Sequence, residues 1–139
     1  MDKSDDFVIR SEKIPNSKGI YIAQPIGSRM RVIDKKRAHI MPSVNNAYIK
    51  VGKAINLRQR FANYYHDNDG DVEFTPIIIC DEYSDQQLKD FESLLKRKFE
   101  SFSFRNPKTN RKLEWLEGIS FEDVREMILS THKEFEKSC

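Results

Sequence analysis

Apolar residues in the first half of the chain fall in short, β-branched stretches, whereas those in the second half recur every three or four positions. Ile20-Tyr21-Ile22-Ala23 reads as a strand closed by Pro25 and Gly27, with Met30-Arg31-Val32-Ile33 as its returning arm. Residues 34 to 46 read as loop, broken by Pro42 and Asn45-Asn46, and Ala47 to Val51 forms the next strand. Asn56 with Gln59 three positions on predicts a capping box, opening a helix that runs through Tyr65. A third strand spans Phe74 to Cys80. It is apolar enough to be central, with Pro76 restricted to its beginning or to an edge position. Ser84 and Gln87 repeat the capping pattern ahead of the stripe Leu88, Phe91, Leu95 and Phe99. Ser120 caps a last helix carrying Phe121, Val124, Ile128 and Phe135.

A length of 139 residues suits a single domain, with a core over about 18–118 and a C-terminal helix over about 120–137. The chain has no apolar run long enough to span a membrane, and its charged start has no signal-peptide pattern. A soluble, cytoplasmic protein is expected. Cys80 follows Ile77-Ile78-Ile79 and Cys139 is the last residue, so a buried thiol and a terminal one are expected rather than a disulfide. Two cysteines without ligand spacing argue against structural zinc. The acidic stretch from His66 to Asp71 lacks the length and the closing glutamate of a calcium loop, and reads as a helix terminator.

Net charge is only +2, so charge distribution says more than the total. Arg29, Arg31, Lys35, Lys36 and Arg37 crowd around a single Asp34, and a second basic cluster holds Arg105, Lys108, Arg111 and Lys112. The first group, together with Lys53, makes the candidate phosphate contacts with a nucleic acid.

Tyr21, Lys50, Arg60 and Glu92 lie on successive elements of the apolar frame. A tyrosine, a lysine, an arginine and a carboxylate together can orient water, bind a phosphate and hold a divalent cation. Phosphodiester hydrolysis needs those functions. Gly19-Ile20-Tyr21, then Lys50-Val51-Gly52, then Asn56 to Phe61 resembles the GIY-YIG nuclease domain over roughly residues 18–118. Arg60 stands eight positions after Gly52, the spacing of that family's catalytic arginine, and Glu92 matches its metal-binding glutamate. Lys50 replaces the usual first tyrosine of the second triplet. Tyr48, two residues away and on the same strand face, remains a candidate beside Lys50. Tyr64 takes the place of the histidine or tyrosine four residues after the arginine. Asn106 and Asn110 compete for the late asparagine, and Leu113-Glu114-Trp115-Leu116 is similar to the Glu-Trp ending of phage-type members.

The resemblance implies an α/β fold, with a small, mainly antiparallel three-stranded sheet flanked by helices and the last helix appended. It also implies a metal-dependent endonuclease that cuts DNA, with Glu92 holding Mg2+ or Mn2+ and Arg60 gripping the phosphate. Tyr21 would orient or deprotonate water, helped by Lys50 lowering the phenol's pKa, with Tyr48 or Tyr64 bonding a phosphate oxygen or water. The alternative is a related module that binds nucleic acid or a protein with little or no turnover. A single site without a second DNA-binding domain points to low intrinsic specificity, a homodimer or a separate targeting protein.

Overall fold

A computed structural model describes residues 3–33, 43–105 and 112–138 of the chain. The elements run α1 (Lys3–Glu12), β1 (Gly19–Pro25), β2 (Ile49–Ala54), α2 (Leu57–Asp67), β3 (Val72–Ile79), α3 (Asp85–Lys98), β4 (Ser103–Arg105), β5 (Lys112–Leu116) and α4 (Phe121–Ser138). The fold is α/β, as expected, but the sheet has five strands rather than three, in the order β3-β1-β2-β5-β4. All of its pairings are antiparallel. The two extra strands are the β4–β5 pair. Its second strand contains Trp115, which is 2 % exposed. Each strand is too short for its alternation to stand out in sequence.

Alternation along β1 divides the core into two layers. Tyr21 and Ala23 point to one face, where they meet Leu57, Phe61, Tyr64 and Tyr65 of α2. Ile20 and Ile22 point to the other, where Leu88, Phe91 and Leu95 of α3 and Val124 and Ile128 of α4 cover them. Period two along one strand and period 3.6 along three helices thus solve one packing problem, because each element must bury one side.

β3 is an edge strand, not a central one. Its apolar run is explained by helices on both faces: Val72 and Phe74 join the α2 layer, and Ile78 joins the α3–α4 layer. Pro76 sits mid-strand, which an edge tolerates because no further strand needs its missing N–H. The register slips beside it: Ile20 pairs with Ile78 while Tyr21 pairs with Pro76, leaving Ile77 as a bulged residue.

The caps are only partly as the spacing predicts. Ser84 and Gln87 form the reciprocal box. Asn56 accepts from the Gln59 backbone N–H at 3.0 Å, but the Gln59 amide turns forward to Asn63 instead of closing the box. Ser120 accepts from the Asp123 N–H at 3.1 Å and starts α4. Among the described residues, the segment Met30 to Ile33 makes one isolated bridge, Arg31 with Val44, and no hairpin arm.

Helix α1 was not legible in the sequence. Its apolar content is small, yet Phe7 stacks on Phe61 with ring centroids 5.9 Å apart. Arg10 lies 5.3 Å over the Phe61 ring and donates to the Gly70 and Val72 carbonyls. Tyr65 returns a bond to Asp6 at 2.8 Å. Arg58 is half-buried and donates through Nε to the Ile14 carbonyl at 2.7 Å, tying the segment after α1 to α2.

Gly19 is fixed by close approach. A Cβ there would collide with the Ile78 carbonyl and stand 2.9 Å from Leu57 Cδ1. The obstacle is backbone at the β3 bulge, which cannot swing aside as a side chain can. Gly19→Ala should therefore lose about 3 kcal/mol, the upper part of the overpacking range. Gly27→Ala meets no atom within 4 Å but has a φ of +88, and should lose about 1 kcal/mol of left-handed strain. Urea midpoints of the two variants check both the order and the gap.

Candidate functional site

The site begins with strand register. Tyr21 of β1 lies opposite Gly52 of β2. A Cβ on Gly52 would come 2.5 Å from the Tyr21 hydroxyl and 2.6 Å from Cζ, so the ring lies across the space that any larger residue would fill. Phe74 stacks on the far side of the ring, with centroids 4.6 Å apart. The ring is therefore clamped between β2 and β3, and its hydroxyl is aimed past Gly52 toward the outer edge of β2.

That edge is open. On the side away from β1, β5 pairs with β2 at Ile49 and Lys50, and among the described residues no strand pairing is seen on that side from Val51 to Ala54. Groups from both sides of the sheet meet there in a cleft of about 160 Å³. Tyr21, Lys50 and Arg60 come from the α2 side, Glu92 and Lys96 come from α3 on the other side, and Val51, Gly52 and Lys53 form the strand between. Of the expected catalytic and metal residues, Tyr21, Lys50, Arg60 and Glu92 are brought together.

Each side chain has a local reason for its position. Arg60 stands in the first turn of α2, with its N–H bonded to the carbonyl of the cap residue Asn56 at 3.1 Å and its side chain exposed. Lys50 lies with Nζ 5.5 Å from the Tyr64 ring centroid, a cation–π approach. Glu92 faces the sheet from the flank of the α3 stripe, its side chain 17 % exposed. Oε2 accepts the Lys53 backbone N–H at 3.1 Å, using a donor that a neighbouring strand would otherwise have taken. Oε1 lies 3.6 Å from Lys96 Nζ, one helical turn on.

The Tyr21 hydroxyl is 3.2 Å from the Tyr64 hydroxyl. Burial raises the Tyr21 pKa well above the ordinary phenol value, and the nearby Tyr64 adds to the rise. Lys50 and Arg60 pull it down, but by less. The expectation that Lys50 would leave Tyr21 ready to ionise is therefore corrected. The direction of the lysine's effect is right, but desolvation outweighs it, and Tyr21 is a neutral phenol at physiological pH. Tyr64 is buried beside it and acts on the site through that hydroxyl pair. Cys80, also buried, has its thiol pushed up to about 11, first by desolvation and then by Glu136 and Asp81, so it is an inert core residue.

Other expected residues do not join the cleft. Tyr48 packs edge-on against Phe104, with centroids 4.9 Å apart, and does not line it. The expected strand over Ala47 to Val51 instead runs Ile49–Ala54, so Tyr48 precedes β2 rather than sharing a strand face with Lys50, at the end that the β4–β5 pair covers. Arg31, expected to meet phosphate, is engaged internally: it bonds Asp71 at 3.0 Å and the Ile26 carbonyl at 2.9 Å, fastening the turn after β1 to the turn before β3. Arg29 is exposed and away from the cleft lining. Lys35, Lys36, Arg37, Asn106 and Asn110 lie outside the described residues. Lys53 does line the cleft.

Lys96 is the cleft residue that sequence reading passed over. The signal was present as a carboxylate and lysine at i and i+4 on one helix. That spacing is so common on solvated helices that only the cleft gives it meaning. No group of three or more His, Cys, Asp or Glu side chains suited to a metal occurs among the described residues, so Glu92 is the anionic donor of this cleft. No helix among those residues is long and apolar enough to cross a membrane.

The family profile described as the T5orf172 domain matches residues 20–132, which span β1 through most of α4. No curated protein and no solved structure matches the chain.

The buried phenol has a consequence for alkaline stability. A Tyr21 pKa raised in the folded state means that above pH of about 10 the unfolded chain releases a proton the folded chain keeps. The unfolding free energy then falls as pH rises, by about 1.4 kcal/mol per pH unit for this one group, and below pH of about 10 the contribution is complete. Tyr21→Phe should remove that component, making the loss between pH 9 and 11 shallower than in the wild type. Urea titrations of both proteins across that range measure the slopes, and equal slopes would show that Tyr21 ionises freely in its fold.

Proposed function

The chain belongs to the T5orf172 domain family, a nuclease-associated one, and on that premise we propose that it is a metal-dependent endonuclease of the GIY-YIG type acting on DNA. One observation carries this reading: Tyr21, Lys50, Arg60 and Glu92, drawn from both sides of the sheet, line one cleft at the open edge of β2.

The cleft's charge fits a phosphodiester. Lys50, Lys53, Arg60 and Lys96 surround the single carboxylate of Glu92, an excess of positive charge that a phosphate group would offset. The donor set also fits a small hard cation. Glu92 is held by the Lys53 N–H through one oxygen, leaving the other directed along the cleft toward Lys96. Magnesium retains several of its waters and is commonly bound through one or two carboxylates plus a substrate phosphate, so one carboxylate suffices. Such an ion supplies, when bound, neutralisation and polarisation at the phosphate.

The chain's own groups do the rest. Arg60 reaches the phosphate with a planar fork of donors and stabilises the extra charge of the transition state. Lys50 and Lys53 hold the phosphate by charge. Tyr21 orients the attacking water as a neutral hydrogen-bonding group, with Tyr64 beside it as a second oxygen through which a proton can pass. Clamping by Gly52 and Phe74 holds the Tyr21 oxygen in place before substrate arrives, so its orientation need not be bought during reaction.

A second reading, a module that binds DNA with little turnover, draws on the protonated state of Tyr21. A plasmid-nicking assay in magnesium separates the two. Under the endonuclease reading, Glu92→Gln abolishes nicking while the urea midpoint holds or rises, since the change removes a half-buried charge at nearly constant volume. Wild-type nicking by that variant would sink the metal assignment.

Arginine at 60 should be needed for its shape as well as its charge. Arg60→Lys is expected to lose about 3 kcal/mol of transition-state stabilisation, roughly a hundredfold or more in rate, with folding intact. Arg58→Lys should keep the rate and lose about 1 kcal/mol of stability, because its Nε bond to Ile14 is structural. Rate and midpoint measured on both variants test the split. Equal rate losses would mean that general charge, not a positioned guanidinium, serves the site.

A further inference from the structure

Glu92 and Lys96 stand one turn apart on α3, and both line the cleft. Their environments differ. The Glu92 side chain is 17 % exposed and fixed by the Lys53 N–H, whereas the Lys96 side chain is 57 % exposed at the end of a flexible stem. Their 3.6 Å separation is loose for an ion pair, and exposed pairs at this helical spacing are weak. The neighbouring Lys98 is engaged elsewhere, with Glu134 of α4 at 3.1 Å. Lys96 is thus a cation stationed against the one carboxylate of a cleft whose other charged lining residues are cations.

We propose that Lys96 is the resting counter-ion of Glu92 and that, when a divalent cation takes the carboxylate, its ammonium transfers to a phosphate oxygen in the same cleft. This rests on the metal-dependent reading given above. A divalent cation at Glu92 repels Lys96, and the side chain can turn from α3 toward the cleft without backbone movement because most of its surface is free. The phosphate then gains a contact that the metal-free protein withholds. Metal and phosphate binding are coupled as a result, and the coupling is reciprocal. Lys96 also keeps the carboxylate neutralised in the absence of metal, lowering the cost of an uncompensated charge on the inner side of the helix.

The test uses the full chain, Mn2+ followed by electron paramagnetic resonance, and thymidine 5′-monophosphate as a phosphate probe with no diester to cut. Wild type, Lys96→Gln, Glu92→Gln and, as a charge control on the same helix, Arg97→Gln are compared. Lys96→Gln should bind Mn2+ about twofold more tightly in the absence of nucleotide, because its competitor is gone. In the wild type Mn2+ should tighten nucleotide binding severalfold, and Lys96→Gln should lose most of that enhancement while Arg97→Gln keeps it. The proposal is overturned if Lys96→Gln leaves both the Mn2+ affinity and the enhancement unchanged, if it weakens Mn2+ binding, or if Arg97→Gln has the same effects. Failure of the underlying reading looks different: the wild type binds no Mn2+, or Glu92→Gln binds it equally well, and the proposal falls with it. Circular dichroism of each variant confirms that the comparison is between folded proteins.

Discussion

The contact of Tyr21 with Gly52 organises both fold and site. Two strands in antiparallel register normally place two Cβ atoms side by side, and here one of them is missing so that an aromatic ring can occupy its space. The ring is then held by Phe74 on its other side and by the α2 layer beneath. Removing the hole would push the ring into that layer, where Phe61 and Tyr64 already pack against Phe74. A reactive-looking hydroxyl is thereby positioned by packing, which also explains why it is so hard to ionise.

Burial and function oppose each other at this point. A phenol fixed in the core is well oriented but poorly solvated, and nearby cations offset only part of that penalty. The arrangement suits a group that donates and accepts hydrogen bonds more than one that carries charge. Charge is placed instead on side chains at the rim: Arg60 is exposed, and Lys50, Lys53 and Glu92 are only partly covered. The cleft thus separates a dry positioning element from a wet electrostatic one.

The second organising fact is a strand that stops early. Were β5 paired along the whole of β2, the Lys53 N–H would be taken and α3 would be screened from the α2 side. Because the pairing seen among the described residues ends at Lys50, an edge donor is left for Glu92, and elements from opposite faces share one cleft. Edge strands normally need protection against further pairing. Here the carboxylate of α3 occupies one edge position and the site occupies the rest.

Much of this was readable from residues alone. Alternation located β1, the expected strand over Ala47 to Val51 caught only the first half of β2, the cap at Asn56 located α2, helical spacing located α3 and α4, and the Ser84–Gln87 box was recognisable because capping is a local interaction between neighbours in sequence. The grouping of Tyr21, Lys50, Arg60 and Glu92 followed from their resemblance to a known spacing, and the fold does bring them together. What depended on tertiary structure was everything set by distant partners. Helix α1 depends on Phe61 and Tyr65, more than fifty residues away. The same holds for the edge position of β3, the capture of Arg31 by Asp71, the removal of Tyr48 by Phe104 and the presence of Lys96 in the cleft. Local pattern determines which side of an element is buried. Only the assembled sheet determines what it is buried against, and burial against a partner is what sets a side chain's charge state and reach.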